Sequence, residues 1–331
     1  MSKFSLVTGA NGHLGNNLVR ALLDKGVKIR ASVRNPEDKP PFAGLDCEVV
    51  YADLLDKDSL EKALEGVDTL YQVAAVFKLW AKNVEQEILK PNVKGTRNVL
   101  EAAATQKIRK IVYVSSVAAL DQRKLPLDET TWNPDKSNPY YHSKKRSEEI
   151  AWEIAKERQL DMVSVLPSVM VGPNCHRLTP SMSILDQALK NKIFVDVNFH
   201  FNWVDVQDVA HGMILAAEKG KSGERYCLTT ESPVSLKRVT ELAKQINPKV
   251  RIPRIQPSKK ALLFTAAIME KIARLTKTEP QMQRNHVDLY YGHKQIIDIS
   301  KARSELGYDP KPPEEAILKA LRYLYHERHS D

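Results

Sequence analysis

Two tyrosine–lysine pairs with the spacing of one helical turn stand side by side, Tyr140 with Lys144 and Tyr141 with Lys145. Residues four apart on a helix share a face, so each lysine would lie beside its tyrosine. Because tyrosine has a pKa of roughly 10, it needs a nearby cation to act as an acid near neutral pH. Either pair therefore predicts proton donation to a carbonyl oxygen, and the spacing alone leaves both open.

A glycine-rich segment, Thr8-Gly9-Ala10-Asn11-Gly12-His13-Leu14-Gly15, follows the first predicted strand and opens the first predicted helix. Glycines at this spacing allow a tight turn and let backbone N–H groups approach a pyrophosphate. The helix N-terminus adds the positive end of its dipole. The segment predicts a dinucleotide site.

The end of the second predicted strand indicates which dinucleotide is bound. Enzymes of this fold that use NAD place an acidic residue there to bind the ribose hydroxyls. This chain has Arg34 at that place. A guanidinium pairs with a 2′-phosphate, whereas a carboxylate would repel it. We therefore expect NADP(H) rather than NAD(H).

The elements that must position these residues alternate along the first half of the chain. Such alternation predicts an α/β fold, a Rossmann-type doubly wound parallel sheet. The later sequence, irregular and rich in proline, predicts a smaller interleaved C-terminal substrate lobe. We assign residues 1–166 and 203–230 to the NADP-binding domain and 167–202 and 231–331 to the lobe. Strands are predicted at 4–8, 27–33, 47–51, 69–73, 110–115, 161–166 and 250–255, and helices at 14–23, 59–64, 93–104 and 143–158.

The glycine spacing and the leading Thr8 resemble the extended branch of the short-chain dehydrogenase/reductase superfamily, near its dihydroflavonol reductase-like and 3β-hydroxysteroid dehydrogenase-like members. The family pattern Y-x-x-S-K-x-x-x-E matches Tyr140, Ser143, Lys144 and Glu148. The resemblance therefore favours Tyr140 and Lys144 as the catalytic pair. It implies Ser116 as the third catalytic residue, with Ser115 as the alternative.

The same resemblance implies the cofactor contacts. Asp53 matches an adenine-contacting acid, and residues 166–173 match a segment that touches the nicotinamide. The segment that starts at Asn92 matches a family motif that we expect to be structural. The residues expected to bind cofactor are Gly9, Asn11, Gly12, His13, Leu14, Gly15, Arg34, Asp53, Leu54, Ala74, Tyr140, Lys144, Pro167 and Val169.

The predicted substrate side is apolar. Family members that act on nucleotide-sugars carry an arginine for the substrate diphosphate where this chain has Phe201, although Arg177 could replace it. An aromatic ring cannot pair with a diphosphate, so a hydrophobic ketone or aldehyde is favoured. The candidate substrate contacts are Phe77, Trp80, Ser116, Met170, Phe201 and Trp203.

Residues 259–277 have apolar side chains at helical spacing with basic flanks. This pattern is typical of a packed lobe helix, a lid, a dimer face or a membrane-surface contact. In related reductases a similar region closes over the substrate, which favours a lid. A homodimer is common in the superfamily.

Composition limits the remaining classes of function. The chain has 331 residues and a net charge of +9, and its basic residues are interleaved with acidic ones. It lacks a zinc-finger or RNP-like motif, so we expect no nucleic-acid partner. Three dispersed cysteines, Cys47, Cys175 and Cys227, predict free thiols and no metal site. No signal peptide or membrane-spanning segment is recognisable, so we expect a cytoplasmic protein.

The sequence thus predicts an NADPH-dependent oxidoreductase that reduces a hydrophobic ketone or aldehyde, reversibly, by Ser-Tyr-Lys catalysis. One alternative is a nucleotide-sugar epimerase or dehydratase with tightly bound NAD. Another is a non-enzymatic NADP-sensing or scaffold protein, which the intact Ser116, Tyr140 and Lys144 set disfavours.

Overall fold

A computed structural model describes residues 4–77, 81, 83–135, 138–276, 278, 280 and 282–327. The strands are β1 (Phe4–Thr8), β2 (Ile29–Val33), β3 (Glu48–Tyr51), β4 (Val67–Gln72), β5 (Lys110–Val114), β6 (Met162–Pro167), β7 (Val169–Val171), β8 (His200–Phe201), β9 (Trp203–Asp205), β10 (Arg225–Leu228) and β11 (Val234–Ser235). The helices are α1 (His13–Asp24), α2 (Lys57–Leu64), α3 (Lys90–Thr105), α4 (Pro139–Glu157), α5 (Pro180–Leu189), α6 (Val206–Lys219), α7 (Leu236–Ile246), α8 (Lys259–Thr276), α9 (Arg284–Tyr290) and α10 (Pro313–Glu327).

Seven strands form one parallel sheet in the order β10-β6-β5-β4-β1-β2-β3. The predicted Rossmann-type α/β fold is confirmed. Strand order reverses between β1 and β4, and in such sheets ligands bind beyond the carboxyl ends of the strands at that reversal. All residues of β5 and β6 are buried, as expected for strands covered on both faces. The fold therefore directs the loops after β1, β4, β5 and β6 toward one edge.

The lobe has its own hydrophobic core. The chain passes between the lobe and the sheet domain more often than the predicted domain boundaries describe. Trp203 packs in the lobe core, whereas the next residue, Val204, packs in the core beside the sheet. Ala302, Leu306 and Tyr308, predicted to belong to the lobe, also pack beside the sheet. The two-stranded sheets β7–β9 and β8–β11 lie where the chain passes between the sheet domain and the lobe.

Two predicted elements differ from the structure. Residues 250–255 form no strand; Pro253, which has no N–H group, lies among them. Helix α4 begins at Pro139 rather than at residue 143, because Asn138 caps it and accepts hydrogen bonds from the backbone N–H groups of Tyr140 and Tyr141. The earlier start places Tyr140 in the first turn of α4.

The segment predicted at 259–277 is the helix α8. Among the described helices, none is both long and apolar enough to cross a membrane. Cys47, Cys175 and Cys227 are free thiols, as predicted.

Candidate active site

The loop from β1 to α1 is too tight for side chains at two of its glycines. Gly9 has a φ of +62°, and a Cβ there would lie 3.0 Å from the Cα of Ala74. A Cβ on Gly15 would lie 2.3 Å from the carbonyl oxygen of Gly9. The missing Cβ of Gly15 lets the loop lie directly against the first turn of α1, and that of Gly9 lets the loop lie against the backbone after β4.

The N-terminus of α1 has the features of an anion site. Gly12 caps the helix without a side-chain hydrogen bond, and the first turn contains no acidic residue. The first N–H groups of a helix have no acceptor within it, and they carry the positive end of its dipole. The loop therefore fits the pyrophosphate of a dinucleotide, with Asn11, His13 and Leu14 beside Gly12 in the sequence.

Thr8 fixes the loop after β4 beside the glycine loop. Its Oγ1 donates to Gln72 Oε1 at 2.8 Å and accepts from the backbone N–H groups of Val73 and Ala74 at 2.9 and 3.0 Å. Ala74, a predicted cofactor contact, is thereby held against Gly9 at the point where strand order reverses.

His13 and Asn17 tie α1 to the segment that follows β7. His13 Nε2 lies 3.0 Å from the carbonyl oxygen of Pro173, which can only accept, so this nitrogen carries the hydrogen. Asn17 Nδ2 donates to the same oxygen at 3.0 Å. Burial lowers the pKa of His13, which keeps the ring neutral at neutral pH. The His13 side chain thus holds the start of α1 against the segment that follows β7.

The predicted cofactor contacts on the other side of β1 follow β2 and β3. Arg34 is exposed directly after β2, and Asp53 follows β3 and accepts from the backbone N–H of Leu55 at 2.8 Å. Asp38 binds Asn11 Nδ2 at 3.2 Å and Arg177 at 2.9 Å. Arg177 is therefore paired with an acid beside the glycine loop.

The segment that starts at Asn92 makes packing contacts, in agreement with its predicted structural role. Gly95 leaves room for Leu54, since a Cβ on Gly95 would lie 2.9 Å from the Leu54 Cβ. Asn98 Nδ2 donates to the Leu54 carbonyl at 2.8 Å, and Asn92 Nδ2 donates to Ser143 Oγ at 2.9 Å. The segment connects the loop after β3 with helix α4.

The contacts of α4 distinguish the two tyrosine–lysine pairs. The Tyr140 hydroxyl lies near the Ser116 side chain, and Lys144 lies one turn further along the helix. Tyr141 instead bonds the Tyr290 hydroxyl at 2.7 Å, and Lys145 pairs with Glu149 at 3.5 Å. The structure thus brings Ser116 to Tyr140 rather than to Tyr141.

The two serines after β5 point to different partners. Ser116 accepts from the backbone N–H of Ala118 at 3.2 Å and meets Tyr140. Ser115 donates to Glu148 Oε2 at 2.6 Å. Ser115 is therefore occupied in the interior, whereas Ser116 is the serine that lies near Tyr140.

Glu148 joins α4 to β5 and β10. It is fully buried, and Arg225 donates to its two oxygens at 2.9 and 3.0 Å. Trp152 Nε1 also donates to it, at 3.3 Å. The Arg225 guanidinium stacks 3.9 Å from the centre of the Trp132 ring. This cluster sets where α4 lies against the sheet.

The ionisation of Tyr140 and Lys144, the candidate catalytic pair, follows from burial. Burial raises the pKa of Tyr140 to about 12, although the nearby Ser116 side chain opposes part of that rise. Burial lowers the pKa of Lys144 to about 8, and the negative charge of Glu148 opposes part of that fall. At neutral pH the tyrosine therefore keeps its proton and most of the lysine is charged.

An aromatic wall borders this pair. The half-exposed Phe77 ring meets Tyr140 edge to face at 5.0 Å between centroids. The Tyr290 ring of α9 packs against the Phe201 ring, with 4.9 Å between the centroids, and its hydroxyl is hydrogen-bonded to that of Tyr141. Phe201 and Met170 are both partly exposed. Pro167 and Val169 lie at the end of β6 and in β7, at the same edge of the sheet.

One predicted substrate contact lies elsewhere. Trp203 is fully buried in the lobe core, where its Nε1 donates to the Val234 carbonyl at 3.2 Å. Its ring packs against the Phe201 ring, with 5.8 Å between the ring centroids. Because no part of Trp203 is exposed, it cannot contact a ligand, and the expectation that it lines the pocket is wrong. Trp80 lies outside the described residues.

Sequence reasoning missed Tyr290 and Arg225. Arg225 lies 77 residues from Glu148 and Tyr290 lies 149 residues from Tyr141, and each makes its contact only after folding. An arginine at the start of an apolar run, as at Arg225, is a signal that would have pointed to a buried acid, since charged groups are buried in pairs.

Residues 5–228 match the NAD dependent epimerase/dehydratase family, and the chain belongs to that family.

Curated relatives cover nearly the whole chain. It is 34% identical to sterol demethylase protein B of Methylococcus capsulatus, over 97% of this chain and 98% of that protein. It is 30% identical to 4-hydroxy-2-methyl-3-oxo-4-farnesyl-3,4-dihydroquinoline-1-oxide ketoreductase of Stigmatella aurantiaca, over 96% of this chain and 95% of that protein. Cinnamoyl-CoA reductase 1 of Petunia hybrida is 34% identical over 75% of this chain and 78% of its own.

Solved structures agree on the fold. The crystal structure of gox2253 has a TM-score of 0.85, 34% identity and coverage of 99% and 98% of the two chains. Yeast Gre2, a methylglyoxal/isovaleraldehyde reductase solved with NADPH, has a TM-score of 0.76 at 20% identity, over 98% of this chain and 99% of that chain. The chain is thus an oxidoreductase of the extended short-chain dehydrogenase/reductase superfamily, whose members use nicotinamide cofactors.

The tight glycine loop generates a first prediction. Gly15→Ala would press a methyl group into the Gly9 carbonyl, and we expect a cost of about 1–3 kcal/mol and weaker dinucleotide binding. Thermal unfolding and NADPH fluorescence titration measure both effects. Gly12→Ala, whose Cβ would lie 3.1 Å from the same oxygen, should be milder. Equal effects of the two variants would contradict this packing.

A second prediction concerns the charge of Glu148. Glu148→Gln removes the carboxylate charge that raises the pKa of Lys144, so the titration midpoint of Lys144 should fall below about 8. NMR titration of side-chain-labelled lysine, assigned with Lys144→Arg, measures this midpoint. Glu149→Gln, which removes the partner of Lys145, is the matched control and should leave it unchanged. An unchanged midpoint in folded Glu148→Gln would contradict the coupling.

Proposed function

We propose that this protein uses NADPH to reduce a ketone or aldehyde group of a hydrophobic small molecule to the alcohol, in a reversible reaction. The observation that carries the proposal is the juxtaposition of Tyr140 with the Ser116 side chain, with Lys144 one turn along α4 and Phe77 against the tyrosine ring. These groups form an acid site with an apolar neighbour, which suits a carbonyl group on an apolar body.

The proposed roles follow from the atoms available. Ser116 Oγ donates a hydrogen bond to the carbonyl oxygen and polarises it. Tyr140 donates its proton to that oxygen as the alcohol forms, and charged Lys144 stabilises the tyrosinate left behind. A bound reduced nicotinamide would supply the hydride to the carbonyl carbon. The proton lost by Tyr140 is replaced from solvent, so the products are the alcohol and the oxidised dinucleotide.

The chain has residues that fit the rest of the dinucleotide. The cradle at Gly9, Gly12 and Gly15 suits its pyrophosphate, and Asp53 and Ala74 border the strands on either side of β1. Lys144 is also the residue expected to hold the nicotinamide ribose. Arg34 is exposed after β2 and suits a 2′-phosphate, which supports NADPH over NADH.

The apolar wall supports the proposed substrate class. Phe201 stands where nucleotide-sugar enzymes of the family carry an arginine, and Arg177 is paired with Asp38. The names of the relatives include a sterol demethylase protein and a ketoreductase for a farnesyl-bearing quinoline. A substrate with a large apolar part agrees with both observations.

The main competing function is a nucleotide-sugar epimerase with tightly bound NAD. UDP-glucose 4-epimerase of Thermotoga maritima shares the fold at a TM-score of 0.78 and 20% identity, over 98% and 99% of the two chains. Such an enzyme would retain NAD through purification and would consume no reduced cofactor overall.

Replacement of the proposed acid tests the reaction. NADPH oxidation, followed by absorbance with aromatic and long-chain aliphatic ketones and aldehydes, should fall at least about 100-fold in Tyr140→Phe, because the proton donor is lost. Tyr141→Phe, which loses only its hydrogen bond to Tyr290, is the matched control and should keep most of its activity. The opposite ranking would show that the other tyrosine is the acid.

Replacement of Arg34 tests the cofactor preference. Arg34→Ser should raise the KM for NADPH about tenfold or more and leave the KM for NADH nearly unchanged, because only the former carries the 2′-phosphate. Arg158→Ser, an exposed arginine at the far end of α4, controls for loss of surface charge. Equal changes for both cofactors would reject Arg34 as the phosphate contact.

A further inference from the structure

Helix α8 presents a row of large apolar side chains to solvent. Phe264, Ile268, Ile272 and Leu275 are 70%, 45%, 54% and 77% exposed. Their spacings of four, four and three residues place them along one side of the helix. We call this row the outer face of α8. Exposed apolar patches of this kind mark binding surfaces.

The opposite side of α8 is already packed. Leu262, Ala266 and Ala273 are buried, and the first two belong to the lobe core. The helix is therefore anchored by one side, and the exposure of its outer face is not a consequence of loose packing.

Cations border the outer face. Lys260 lies four residues before Phe264 and Lys271 seven residues after it, so both lie on the same side of the helix, and Arg274 lies one turn beyond Lys271. All three are exposed, and none forms an ion pair with another described residue. The one acidic residue of α8, Glu270, is paired with Arg284 of α9 at 2.9 Å. The outer face is thus both apolar and positively charged.

We propose that the outer face of α8 docks on an anionic membrane surface, with its apolar row in the headgroup region and Lys260, Lys271 and Arg274 against lipid phosphates. Helices that lie in the membrane interface combine an apolar row with flanking lysine and arginine in this way. The chain as a whole carries +9, which favours approach to a negative surface.

The unpaired cations argue for lipid rather than for a second copy of the chain. A two-fold contact between two outer faces would bring the same cations of both copies together, and these would repel each other. Anionic headgroups offer the opposite charge to every cation of the row.

Docking would also bring the candidate site close to the bilayer. Helix α9 is tied to α8 by the Glu270–Arg284 and Lys259–Asp288 pairs, and its Tyr290 bonds Tyr141 beside the catalytic tyrosine. If the proposed function holds, an apolar carbonyl compound dissolved in lipid would have a short route to Tyr140. This route rests on the proposed function, whereas the docking itself rests on α8 alone.

Co-sedimentation of the full chain with vesicles tests the docking. We expect binding to vesicles of phosphatidylcholine mixed with phosphatidylglycerol, little binding to phosphatidylcholine alone, and release by salt. Lys271→Glu with Arg274→Glu should weaken binding about 30-fold or more. Phe264→Ser with Leu275→Ser should also weaken it, because apolar burial is lost.

Two matched controls distinguish binding through the outer face from non-specific effects of net charge and of exposed apolar surface. Lys156→Glu with Arg158→Glu changes the net charge by the same amount at the end of α4 and should keep vesicle binding. Leu55→Ser removes another half-exposed leucine, on the sheet domain, and should also keep it. Thermal unfolding shows that each variant is folded.

Three outcomes would overturn the docking: no binding of the wild-type chain to anionic vesicles, equal loss in the α4 control, or conversion of a dimer to a monomer by the α8 variants without any vesicle binding. The proposed function is scored separately, by NADPH oxidation with a water-soluble ketone in the absence of lipid. Vesicle binding without turnover would support the docking and count against the reductase.

Discussion

The buried ion pair of Glu148 and Arg225 is the constraint on which the arrangement of the site depends. It links helix α4, which carries the candidate acid Tyr140, to the edge strand β10, and Ser115 adds the end of β5 to the same carboxylate. Losing one partner of a buried pair typically costs about 3–5 kcal/mol, because the other is left charged and unpaired. The pair therefore holds α4 in one position, and from that position Tyr140 meets Ser116.

The fold supplies the second half of the site through the reversal of strand order at β1 and β4. Thr8 joins these two strands by hydrogen bonds to the backbone after β4, and the glycine loop packs on that backbone at Ala74. The lobe then contributes Tyr290 and Phe201, which reach helix α4 through Tyr141. A cofactor cradle, an acid pair and an apolar wall thus meet at one edge of the sheet.

Much of this could be predicted from the sequence because the decisive spacings are local. The glycine loop and the Tyr140–Lys144 pair each span a few residues, so turn and helix geometry alone fix their arrangement. The contacts of Arg225 and Tyr290 depend on packing between distant segments, which no local spacing encodes. Trp203 shows the same limit: its residue type suits a pocket wall or a core equally, and only the fold puts it in the core. The predicted strand at 250–255 is absent for a local reason, since Pro253 cannot donate to a ladder.

The central claim, net carbonyl reduction at the Tyr140–Ser116 pair, is tested most directly by isotope transfer. The wild-type chain would be mixed with one equivalent of NADPH that carries deuterium at the transferable position of the nicotinamide, together with an aromatic ketone. Mass spectrometry of the product should show one deuterium on the carbinol carbon and an equal amount of oxidised cofactor. Unconsumed NADPH with no labelled alcohol from any carbonyl compound, and NAD retained by the purified protein, would contradict the reductase and favour the epimerase.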